Sequence, residues 1–165
     1  ETMHGFEYQV ASHMLRHHME EEGLACVKAV RDRYDGYKRN PWNEMECGSN
    51  YSRSLSSYAL LLAYSGFVCN MYRKRVGFHP IHNDTWNFFW SLDSGFGTVE
   101  KKSGRITWYL LYGTLEIREL EIELDRVKSV SWKGQDVPFA IHDSAICLEE
   151  PVKLVRGEYM VVIYE

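Results

Sequence analysis

The sequence predicts an α+β chain: helices first, then an antiparallel, β-sandwich-like C-terminal half. Three observations predict it. Apolar residues recur at three- and four-residue spacing up to Gly66, the period of an amphipathic helix. From Phe67 onward the runs are short, β-branched and aromatic. Turn residues punctuate those runs at intervals of about 8–12 residues, as in antiparallel sandwiches. The expected organisation is a helical segment over 1–66 and a β-rich segment over 67–165.

The first helix is expected over 6–18, with Phe6, Val10, Met14 and His17 on one face. The second is expected over 20–34. Glu20, Glu21 and Glu22 open it, favouring the positive end of its dipole, and Leu24, Val27, Val30 and Tyr34 carry its apolar stripe. Asp35-Gly36 should end it, with Gly36 in the left-handed region. After a polar loop, Ser49 or Asn50 can cap a third helix. Its stripe is Tyr51, Leu55, Tyr58, Ala59 and Leu62, and Gly66 stops it.

Strands are expected at 72–78, 86–92, 96–101, 105–112, 115–124, 127–132, 137–141, 145–148, 152–155 and 159–164. Lys102-Ser103-Gly104, Lys133-Gly134-Gln135-Asp136, His142-Asp143 and Arg156-Gly157 read as turns. Within 115–124, Leu115 and Ile117 alternate with charge, and Leu120, Ile122 and Leu124 resume one residue out of phase. Such a parity shift marks a β-bulge near Glu119.

The composition is that of a globular chain, 45% hydrophobic and 14% aromatic. A formal charge of −4, from 19 basic and 23 acidic residues, carries no basic bias toward nucleic acid. The longest apolar run, 58–67, is broken by Ser65-Gly66 and is too short to span a bilayer. No signal peptide is visible. The four cysteines, at 26, 47, 69 and 147, lack zinc-site spacing. They read as free, mostly buried thiols of a reducing compartment, hence a cytoplasmic protein, with a disulfide as the alternative. The chain enters a helix within a few residues without a clear start signal, which suggests a piece of a longer protein.

The segment RNPWNEMECG, 39–48, suits neither helix nor strand. Pro41 pushes Asn40 toward extended backbone, and a polar loop carrying one large aromatic is a candidate binding surface. Glu44 and Glu46 invite a glycosidase dyad, but nothing in a loop fixes the carboxyl separation of about 5–5.5 Å that retention requires. One solvated and one paired glutamate explain them equally well. Arg53 stands in the first turn of the third helix, where the dipole disfavours a cation; Glu44, folding back, would offset that. The pair is then either a structural ion pair or a donor–acceptor couple for the vicinal hydroxyls of a sugar. Trp42 is either a sugar-stacking ring or a loop anchor. His13 and His17 have helical i, i+4 spacing, but no third ligand is evident, so no metal is assigned. The run Trp86, Phe88, Phe89, Trp90 reads as core.

Four stretches together, GFEYQVASHM, EEGLACVKAVRDRYDG, RNPWNEMECGSNYSRSLSSYALLLAYSGF and GFGTVE, resemble the C-terminal portion of glycoside hydrolase family 116. That family comprises bacterial β-glucosidases and non-lysosomal glucosylceramidases. The resemblance runs from about residue 5 to 100, and 101–165 look like the less distinctive β tail of bacterial members. It implies that 1–66 are the last helices of an (α/α)6 toroid in a retaining enzyme needing no cofactor. The family's nucleophile and acid/base lie upstream of the matched segment, so no catalytic residue is carried over. Glu44 and Arg53 match the family's glutamate and arginine that hold glucose hydroxyls in the −1 subsite, with Trp42 on the same rim. The resemblance therefore implies a β-glucoside or related carbohydrate as ligand, the rest of the parent chain as partner, and a piece inactive alone that self-associates through uncovered helix faces. Arg16-His17-His18 departs from the family, where a smaller, glycine-containing turn is expected. The alternative reading is a free-standing β-sandwich carbohydrate-binding or interaction module. An exposed apolar stripe on the first and third helices would favour the truncated enzyme; helix faces closed on the sheet would favour the module.

Overall fold

The computed structural model describes residues 3–33, 37, 54–124 and 126–165. The chain divides into two compact units, Glu1–Gly66 and Phe67–Glu165.

In the first unit, α1 (His4–Arg16) and α2 (Glu20–Asp32) form a helical hairpin. A short 3₁₀ turn, Ser54–Ser57, leads into α3 (Tyr58–Ser65). The α1–α2 turn puts His18 at φ 58°, the left-handed conformation that a glycine adopts without strain. The chain therefore makes at His18 the turn for which a glycine was expected. Gly23 lets the two helices approach closely, since a Cβ there would lie 3.1 Å from Leu15 and 3.2 Å from the Ala11 carbonyl. Gly66, at φ 59°, ends α3 as a left-handed cap. The expected end of α2 at Asp35-Gly36 and the cap at Ser49 or Asn50 lie outside the described residues.

The buried face of α1 is not the one expected. His4, Tyr8, Ala11, Ser12 and Leu15 are buried, while Phe6 and Val10 are exposed. Both sets have helical spacing, and small Ala11 and Ser12 permit the close packing that Phe6 and Val10 would block. On α2 the inner face holds Gly23 and Val30, with Leu24 exposed. In α3 only Ala63 and Ser65 are buried; Tyr58, Leu61 and Leu62 are exposed, as is Leu55 just before it.

The second unit has ten strands: β1 (Phe67–Asn70), β2 (Arg75–Phe78), β3 (Trp86–Ser91), β4 (Gly95–Lys102), β5 (Arg105–Ile122), β6 (Val127–Trp132), β7 (Gln135–Asp136), β8 (Phe139–His142), β9 (Ala145–Val155) and β10 (Tyr159–Tyr164). Two expected strands are one: β5 runs through Gly113, because φ 80° there bends the strand instead of reversing it. Its first half pairs with β4 and β10, its second half with β2 and β9. Strand β5 thus belongs to two sheets, ordered β3-β4-β5-β10-β6-β7 and β1-β2-β5-β9-β8. The corner leaves no room for a side chain, since a Cβ at Gly113 would sit 2.1 Å from the Ser94 carbonyl. All pairings are antiparallel except β2–β5, which is parallel and corrects the all-antiparallel expectation.

The expected bulge is present. The β5–β9 register shifts between Ile117 and Glu119, and the amides of Arg118 and Glu119 both donate to the Lys74 carbonyl. Opposite it, β9 continues through Pro151, so the expected strands 145–148 and 152–155 are also one. A proline fits where the ladder is already broken. Strand β1 was not expected, and Tyr72, expected in a strand, lies in the exposed β1–β2 turn. Short β7 occupies part of an expected turn. Three tight hairpins, at Ser103-Gly104, Lys133-Gly134 and Asp143-Ser144, have positive φ at both central positions, the geometry that matches strand twist. The first two lie where expected, and the third is one residue beyond the expected His142-Asp143, since His142 pairs with Ala145 in the strand ladder.

The core lies between the two sheets. Phe78, from the second, packs against Trp86 and Trp108, from the first, with ring centroids 5.5 Å apart in both pairs. Trp90, Ile106, Leu110, Leu115, Ile117, Leu120 and Leu154 are among the other buried members of the core. The Lys101 amine is buried and donates to the Asn83 carbonyl and side-chain oxygen at 2.7 and 3.0 Å.

Candidate functional site

The sugar loop expected from sequence, Trp42, Glu44 and Arg53, lies outside the described residues. Near the described start of the helical unit, Glu7 on α1 takes an ion pair from Arg33, just past α2, and its carboxylate stands 3.8 Å from buried His4 Nε2. The Cys26 thiol faces the Glu7 carbonyl at 3.5 Å. Tyr64 of α3 donates to Glu20 of α2 at 2.8 Å, and that bond to a carboxylate holds the phenol above its ordinary pKa. These contacts tie α1 to α2 and α2 to α3. His13 and His17 meet edge to face at 4.5 Å, and among the described residues no three His, Cys, Asp or Glu side chains gather to hold a metal.

The sheet unit presents two surfaces that sequence reasoning missed. The first is a charged ladder along the parallel β2–β5 pair. Arg75 bridges Glu119 and Glu121, His79 Nε2 lies 2.9 Å from Glu121, and Lys74 reaches Glu116 at 2.6 Å. Burial works to raise the Glu121 pKa, but His79 and Arg75 outweigh it and hold the carboxyl below the usual range. Every charge in this ladder is matched, which suits it to joining strands.

The second surface is aromatic. Phe89, Phe96 and Tyr112, on β3, β4 and β5, contact one another in a row at 6.0 and 5.5 Å. Tyr109 and Tyr159, on β5 and β10, pair beside them at 5.4 Å. All five rings are more than a third exposed, Phe89 most at 62%. Register puts them on one face: Phe89, Thr98, Tyr109 and Tyr159 are successive cross-strand partners. Trp86 and Trp90 are buried as expected, but Phe89 points the other way, as strand alternation requires. Tyr112 joins the face despite its odd spacing from Tyr109, because the register shift at Phe96/Gly97 leaves Leu111 without a partner on β4.

Of the cysteines, Cys26, Cys69 and Cys147 are free; none is fully buried and Cys69 is exposed, which corrects the mostly buried expectation. Among the described residues no helix is long and apolar enough to cross a membrane.

No family model matches the chain, and no curated protein matches it. Among solved structures, it is similar to a GH127 β-L-arabinofuranosidase from Geobacillus stearothermophilus T6, with 11% identity and a TM-score of 0.43, over 83% of this chain and 22% of that one. The chain thus spans about a fifth of that protein's length. The resemblance to family 116 rests on the sequence motifs alone.

Proposed function

We propose that this chain is a C-terminal part of a retaining β-glycosidase of the β-glucosidase or glucosylceramidase type, holding sugar-binding residues of the −1 subsite. The motif RNPWNEMECG with Arg53 nine residues after Glu44 is the observation that carries this reading. In it, the Glu44 carboxylate accepts hydrogen bonds from vicinal sugar hydroxyls, Arg53 donates to them, and Trp42 covers a sugar face. The two catalytic carboxyls belong to the parent chain outside these residues, so the piece alone is inactive. The exposed Phe6 and Val10 of α1 and Tyr58, Leu61 and Leu62 of α3 support the reading, since further toroid helices would cover them. In the isolated piece those faces self-associate. A reducing, cytoplasmic setting suits the free thiols. The test is Glu44→Ala and Arg53→Ala in the longer gene product against an aryl β-glucoside. Loss of kcat/KM by about 10²-fold or more is expected, as one or two charge-assisted hydrogen bonds imply. Unchanged kinetics in both variants overturns the subsite assignment.

A second reading, a free-standing β-sandwich that binds carbohydrate, is favoured by the row Phe89, Phe96, Tyr112 with Tyr109 and Tyr159. Titration of the 165-residue chain with a β-linked gluco-oligosaccharide tests it. Heat of binding that Phe96→Ala abolishes supports the module, and no heat removes it.

A further inference from the structure

We draw no further inference here: the strongest candidate, the exposed aromatic row Phe89, Phe96 and Tyr112 on β3, β4 and β5, belongs to the surface already described, and nothing in the structure shows what covers it.

Discussion

The two units treat apolar surface in opposite ways. The sheet unit closes on itself: tryptophans, isoleucines and leucines from both sheets share one core, with Trp90 and Trp108 almost completely enclosed. Among its described residues the helical unit buries Ala11, Ala63, Val30, Leu15 and Tyr8, and leaves Phe6, Val10, Leu55, Leu61 and Leu62 exposed. Helix α3, YALLLAYS, is apolar nearly all round, the pattern of a helix buried on every side. Among the described residues, most of the large apolar side chains of the helical unit face outward. If the rest of a parent chain covers those faces, as proposed, the sheet unit carries its own stability and the helical unit draws on its neighbour.

Four substitutions would break or sharpen that contrast. The largest effect is expected at Trp108→Ala, which empties the centre of the two-sheet core and should cost about 3–5 kcal/mol, read by urea unfolding with near-ultraviolet dichroism. A loss under about 1 kcal/mol would mean that the core is not the source of stability. Next is Gly97→Ala. A Cβ there would lie 1.9 Å from the Tyr109 carbonyl, so β4 must shift, at a cost of about 1–3 kcal/mol; a neutral result would contradict the close β4–β5 approach.

On the helical side, Leu61→Ser should change unfolding by no more than about 0.5 kcal/mol, as for an exposed position. It should also lower self-association in sedimentation velocity. A loss like that of Trp108→Ala would show Leu61 to be enclosed and erase the contrast.

The smallest effect concerns the ladder. Glu121 is held below its ordinary carboxyl range in the folded chain. Its contribution is therefore present above the unfolded pKa of about 4.3 and fades as pH falls through the lowered folded value. Glu121→Gln should cost on the order of 0.5 kcal/mol at neutral pH and nothing near pH 2. A difference that grows on acidification would reverse the sign and refute the pairing with Arg75 and His79.

The sequence carried the switch from helix to strand because the period changes from 3.6 to 2 at Gly66-Phe67. Two of the tight hairpins were legible because Ser-Gly and Lys-Gly favour their own backbone conformations; the third, expected at His142-Asp143, turns one residue later at Asp143-Ser144. The bulge near Glu119 showed as a parity slip. What escaped was tertiary. Gly113 looks like a turn residue and instead bends β5 between two sheets, because Gly95 and Ser94 lie against it. The face of α1 was misassigned because Phe6 and Val10 have the same helical spacing as Tyr8, Ala11 and Leu15, and only the close approach at Gly23 chooses between them. The parallel β2–β5 pairing leaves no local mark, since both strands alternate alike in either direction. The candidate sugar residues Trp42, Glu44 and Arg53 were legible as a motif and lie outside the described residues.

The most direct measurement is turnover of an aryl β-glucoside by the 165-residue chain beside the longer gene product. The account predicts hydrolysis by the longer protein only, with none above background from the 165 residues. Hydrolysis by the 165-residue chain alone would put the catalytic carboxyls inside it and contradict the assignment of Glu44 and Arg53 to binding rather than chemistry.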